Sequence, residues 1–206
     1  MLGALMRQTW GRQSRRSRGA GVTMVELMVT LGIVAVLMAI ALPSMRELIV
    51  RKRLEGTAQA LMTDLRLLRS HQLQTRLDTG TGINFGTTDT KTCYIVYTRG
   101  NGGGGNPINC TCAADAAKVC GDGGEGGIAP APLRQVDIPV SSGVRLSANR
   151  RFLAMLGTNA MPQGNGTLEI TVAGESAGSI RVSTNEAGLP SMCSVSGSFG
   201  SIAHCP

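Results

Sequence analysis

One carboxylate and six thiols are the groups whose placement could do chemistry. Glu26 is the only charged residue between Arg18 and Arg46. A carboxylate inside an apolar run costs at least roughly 2.5–3.5 kcal/mol in a bilayer and calls for a cation to offset it. Its chemistry is pairing. The cysteines (Cys93, Cys110, Cys112, Cys120, Cys193 and Cys205) all lie beyond that run. An even number in a Gly-rich exported segment reads as disulfides made in an oxidising compartment. Cys193 and Cys205 are expected to pair, because the other four cluster between residues 93 and 120. Cys110 and Cys112 are not expected to bridge each other, since one intervening residue strains the link. Zinc is the alternative. The Cys110-x-Cys112 spacing lacks a knuckle's two to four intervening residues, and His71 and His204 are distant in sequence. No metal and no cofactor are expected.

Catalytic constellations are absent from the sequence: no Ser/His/Asp, Cys/His or paired-carboxylate arrangement stands out. His204, beside Cys205, is a poor catalytic residue. The glycine runs 102–105 and 123–127 are followed by no Gly-Lys-Ser/Thr, so they are not phosphate loops. Enzymatic activity is therefore not expected.

The net charge of +7 is concentrated at one end. Arg7, Arg12, Arg15, Arg16 and Arg18 precede Gly21 with no acid among them, and without them the net charge is +2. Residues 1–21 read as a basic processing segment rather than as part of the fold. The apolar residues expected soon after a twin-arginine pair are missing behind Arg15-Arg16. Residues 27–42 carry no charge. With 22–26 they make a helix of about 31 Å at 1.5 Å per residue, enough to span a bilayer core. Gly32 is tolerated in such a helix, where it permits close packing. Arg46, Arg51, Lys52 and Arg53 flank the far side, so loop charge alone leaves the orientation nearly balanced. The cysteines place the C-terminal part outside the cytoplasm.

Two cleavage sites compete. An ordinary signal peptidase would cut after a small-x-small site such as Ala39-Ile40-Ala41, but Glu26 is out of place in its apolar region. A peptidase cutting between Gly21 and Val22 would instead leave the apolar run in the mature chain. Here Gly21, Thr23, Glu26, Leu27, Met28 and Val29 resemble the type IV prepilin signature: a glycine, a junction, an acid at the fifth mature position, then apolar residues. Val22 departs from the usual phenylalanine or methionine. The resemblance implies cleavage after Gly21 by a prepilin peptidase and N-methylation at Val22. It further implies that Glu26 pairs with the N-terminal amine of an adjacent subunit. Buried acid and fresh ammonium would neutralise each other's desolvation cost. In an isolated subunit Glu26 can instead snorkel to the headgroups, since it lies about 6–7.5 Å from the new terminus by helix rise.

Pro43 removes a helical hydrogen bond and is expected to kink the helix rather than stop it; many pilins kink at this proline. Beyond it, Leu54, Ala58, Leu61, Leu65 and Leu68 step by four and three, with Arg53, Glu55, Asp64, Arg66 and Arg69 between them. That is one apolar stripe on an amphipathic helix, read as a core face against a sheet and ending near Leu77. Gly56 is its weak point.

From residue 81 the period changes. Segments 83–85, 93–97, 133–140, 144–146, 151–156, 167–172 and 179–184 read as strands separated by glycine turns. Residues 99–127 form a Gly-rich insert, stapled by cysteines. The tail, 191–206, is polar and loosely held without a Cys193–Cys205 clasp. Asn109-Cys110-Thr111 and Asn165-Gly166-Thr167 match a glycosylation sequon and carry little weight. The fold class is α+β, a long N-terminal helix packed on an antiparallel β-sheet domain. Its domains are 1–21, the leader; 22–42, the membrane half of the helix; 43–77, the amphipathic half; and 78–206, the β-rich domain.

The C-terminal half resembles the GspH/FimT family of minor pseudopilins. The resemblance rests on Phe152, Gly157-Thr158, the stretch Gly166-Thr167-Leu168-Glu169-Ile170, and Ile180-Arg181-Val182-Ser183 leading to Gly188. It implies a pilin-like fold and a structural role, helping to initiate or cap a type IV pilus or a type II secretion pseudopilus. Implied partners are other minor and major pilin or pseudopilin subunits. The implied location is the bacterial inner membrane, crossed once, with the C-terminal domain in the periplasm. In a DNA-binding branch, arginines follow the last glycine. Here Leu189-Pro190-Ser191 follows Gly188, which disfavours DNA as a partner. A DNA patch would need Arg145, Arg150, Arg151 and Arg181 on neighbouring strands, with binding that falls steeply as salt rises.

Overall fold

A computed structural model describes residues 21–75, 78–112, 119–163, 167–200 and 202–206, with backbone alone at 42–44. The expected helix end near Leu77, the Gly164–Gly166 turn with its sequon, and the leader before Gly21 lie outside the described residues. The chain divides into two units, Met1–Leu42 and Pro43–Pro206. The helix α1, Met24–Thr75, begins in the first. There it has no buried side chain, and its Met24–Ala41 segment is long and apolar enough to cross a membrane.

In the second unit the helical stripe decides the packing. Leu54, Ala58, Leu61, Leu65 and Leu68 are all fully buried in one core. Two antiparallel sheets supply the rest of it. With β1 at Thr81–Thr87, β2 at Lys91–Thr98, β5 at Ala131–Pro139, β7 at Phe152–Leu156 and β8 at Met161–Pro162, the first runs β5-β2-β1-β7-β8. With β6 at Val144–Ala148, β9 at Glu169–Gly174, β10 at Gly178–Thr184 and β11 at Pro190–Ser196, the second runs β11-β10-β9-β6. Alternation along each strand sends Ile83, Tyr94, Val172 and Val182 into the core beneath the helix. Gly174 permits the close approach: a Cβ there would lie 2.9 Å from Leu54 Cδ1 and 3.2 Å from Val50 Cγ1.

β2 is buried on both faces. Tyr94 and Val96 belong to the main core, while Cys93, Ile95 and Tyr97 form a second cluster with Cys110 and Cys112. The insert is what covers that outer face. A two-stranded ribbon opens it, β3 (Gly100–Asn101) against β4 (Pro107–Ile108). Disulfides Cys93–Cys112 and Cys110–Cys120 then hold it to the sheet. This explains the unbroken apolar run of Cys93–Tyr97: a strand covered on both sides needs no polar alternation.

The expected Cys193–Cys205 clasp forms, but the tail holds more than that: Pro190–Ser196 is a full edge strand, and Phe199 is buried in the core. Its polar character misled because its outward positions carry Ser191 and Ser196, which bond across to Ser183 and Ser179. Asp64 does not lie on the solvent side of α1 but is fully buried; it follows Leu61 by three residues and so shares its face. Finally, the strand expected over 133–140 ends at Pro139, and Val140–Ser142 forms a 3-10 turn.

Candidate assembly site at the helix N-terminus

Helix α1 starts where its sequence provides a cap. Thr23 Oγ1 accepts a hydrogen bond from the Glu26 N–H at 3.2 Å, and Thr23 O accepts from the Leu27 N–H at 3.1 Å. Thr23 is thus the N-cap and Glu26 the third helical residue, the spacing of a capping box. The signal was legible as Thr23-Met24-Val25-Glu26, and pattern reading passed over it. Val22 and Glu26 are exposed, and the Glu26 carboxylate meets no cation or donor among the described residues. An acid in the first turn is favoured by the positive end of the helix dipole. An ammonium created at Val22 would sit at that same positive end, where a cation without a carboxylate to offset it is disfavoured. Glu26 is the only acid near enough in sequence to compensate. α1 runs on through Pro43 in backbone conformation.

In the second unit the cysteine chemistry is complete. The pairs are Cys93–Cys112, Cys110–Cys120 and Cys193–Cys205, with Cα separations of 5.9, 4.1 and 4.9 Å. Every thiol is consumed, which leaves no thiolate for a metal. Cys193–Cys205 fastens the chain end to β11, where Ser194 N–H donates to Ala203 O at 2.8 Å and Cys205 N–H donates to Ser194 O at 2.9 Å.

One polar cluster escaped the sequence reading. Tyr94 Oη donates to Asp64 Oδ2 at 2.7 Å, and Arg134 Nη1 lies 3.3 Å from Asp64 Oδ1. Burial, then the bond to Asp64, push the Tyr94 hydroxyl well above its ordinary range. Burial likewise pushes Tyr97 up to about 12, against the opposing charge of Arg99. These groups join α1, β2 and β5. Nearby, Asn109 Oδ1 accepts from both Tyr97 Oη and Arg99 Nε at 3.1 Å, so the first sequon's amide is engaged inside the fold.

Two of the arginines considered for DNA lie on one face of the second sheet. Arg145 pairs with Ala173 and Arg181 with Thr171, which puts β9 between them. Arg150 and Arg151 line a separate groove of about 390 Å³ with Asn84, Phe85 and Thr111.

Residues 16–42 match the family described as the prokaryotic N-terminal methylation motif, which brackets Gly21, Val22 and Glu26. Among solved structures, two crystal forms of the type IV minor pilin FimU from Pseudomonas aeruginosa match. One is 16% identical with a TM-score of 0.45, covering 69% of this chain and 89% of that one. The other is 14% identical with a TM-score of 0.43, covering 67% and 90%. No curated protein matches.

Proposed function

We propose that this chain is a minor pilin-type structural subunit, helping to initiate or cap a type IV pilus or a type II secretion pseudopilus. In this reading a prepilin peptidase removes residues 1–21 and Val22 becomes the methylated N-terminus. Residues 22–42 then anchor the subunit in the inner membrane, with a kink at Pro43. Residues 43–77 continue as the amphipathic half of the helix, and 78–206 form the β-rich domain in the periplasm. Partners are the peptidase and other minor and major subunits.

The observation that carries the proposal is the methylation motif lying across a capped helix start with an unpaired Glu26. Cleavage makes the cation, and the uncompensated acid is ready for a neighbour's. Within one subunit the acid can face headgroups; within a filament it offsets an incoming ammonium and removes the desolvation cost of both. The disulfides support export of the domain. A DNA-binding subunit on the same scaffold is the alternative reading; Leu189-Pro190-Ser191 after Gly188 disfavours it.

Mass spectrometry of the N-terminus after membrane extraction tests the reading. The expected mature chain begins at methylated Val22. A start at Leu42 would overturn it. Trp10 is the only tryptophan, so processing should also abolish tryptophan fluorescence.

A further inference from the structure

We propose that the first turns of α1 in the second unit, with the groove beside them, bind anionic phospholipid headgroups. The inference rests on the reading of residues 22–42 as a membrane anchor and adds the lipid class that the anchored protein selects.

Four cations, Arg46, Arg51, Lys52 and Arg53, face only two carboxylates in this stretch, Glu47 and Glu55. If the β-domain is exported, these cations oppose the usual charge bias across a membrane, and an anionic surface on that side would attract them. Arg46 follows Ala41 by five residues, at most about 18 Å of fully extended chain. Whatever the attitude of the globular unit, it therefore stays near the end of the span. The other three follow Arg46 within about 7.5–10.5 Å of helix rise.

The apolar side chains here are also unspent. Met45, Leu48 and Ile49 are each about half exposed, and their spacing places them on one helical face with Lys52. An apolar face edged by cations is the pattern of a helix that rests at a lipid interface. Beside it lies a groove of about 320 Å³ lined by Leu48, Arg51, Lys52, Glu55, Phe199 and Ile202. Arg51 stacks over Phe199 with its guanidinium carbon 5.4 Å from the ring centre. That contact fixes a cation at the groove mouth while leaving its N–H groups to donate. Lys52 binds Glu55 at 2.7 Å but remains largely exposed. Arg46 has no partner among the described residues. A phosphate at this mouth with an acyl chain along the apolar face satisfies both halves of the surface. Attraction of this kind is worth roughly fivefold in binding per cation.

The test uses the full chain in vesicles of phosphatidylcholine alone or mixed equally with phosphatidylglycerol. Insertion is checked by resistance to alkaline extraction. Lipids retained on the protein are counted by native mass spectrometry, and hydrogen exchange is followed over residues 45–55. Enrichment of phosphatidylglycerol, with slower exchange in the mixed vesicles, is expected. Arg46→Gln with Lys52→Gln should lower the enrichment by an order of magnitude, while Arg46→Lys with Lys52→Arg should retain it. Neither residue touches the core, so both variants should fold. Equal retention in the glutamine variant overturns the inference, as does protection indifferent to lipid charge, which would assign this face to a protein neighbour. A chain released by alkali overturns the membrane-anchor reading and the inference with it.

Discussion

Thr23 caps the helix that carries Glu26: its Oγ1 accepts the Glu26 backbone N–H at 3.2 Å. After cleavage at Gly21, the cap would be the second residue of the chain and the acid the fifth. Helix start and charge pair are therefore coupled, because the hydroxyl that satisfies one of the first turn's unmet donors binds the backbone of Glu26 itself.

Replacing the cap tests that coupling. Thr23→Ala should cost the helix start about 1 kcal/mol, read as faster amide exchange over residues 24–27. Thr23→Ser should exchange like the parent. If alanine and serine variants behave alike, the hydroxyl is not capping the helix.

Glu26→Ala separates anchoring from assembly. Insertion and cleavage should persist, since removing a carboxylate makes the span more apolar. Incorporation into filaments should drop sharply, scored by the ratio of filament-borne to membrane-borne subunit. Normal incorporation would sink the pairing mechanism. Glu26→Gln should follow alanine if the interaction is ionic.

Alkaline titration probes the buried hydroxyls. Tyr94 and Tyr97 are the chain's only tyrosines, and both pKa values are raised by folding. An acid whose folded pKa is raised stabilises the fold below its unfolded value, near 10. That stability is lost as pH climbs toward the folded value, about 12 for Tyr97. Tyrosinate absorbance should therefore rise late, together with loss of circular dichroism. Ionisation near pH 10 in a still-folded protein would show that the hydroxyls are not buried. Tyr94→Phe should cost roughly 1–3 kcal/mol in denaturant melts, because Asp64 loses its donor inside the core.

Disulfide removal should act locally in two different places. Serine at both Cys193 and Cys205 should cost about 2–4 kcal/mol and expose Ser194 and Phe199 to exchange or quenching. Serine at both Cys93 and Cys112 should instead uncover the outer face of β2, with Ile95 and Tyr97. Limited proteolysis distinguishes them: cuts after residue 196 in the first case, and within 99–127 in the second. The same cut pattern for both would contradict this assignment.

Reading residues in order was most reliable where one local period dominates. The apolar run needs only length and composition. The stripe from Leu54 to Leu68 needs only the helical repeat, and all five of its members are buried. Asp64 shows the limit of such reading: a charge beside a stripe is normally solvated, yet Tyr94 and Arg134 arrive from β2 and β5 to receive it. Nothing within α1 could announce partners 30 and 70 residues away. β11 was missed for a related reason. Its serines look like a solvated tail until pairing with β10 supplies the hydrogen bonds that make a strand of them.

By itself the sequence determined the lone acid and the run around it, since each depends on residues within a few helical turns. It also determined α+β as the class, because the period changes once, near residue 81. Tertiary structure alone decided that two sheets enclose the core, that the insert folds over β2, and that Asp64 is inside. Those outcomes depend on which distant surfaces meet. The free energy of such meetings resides in burial between elements, and no single element's pattern records it.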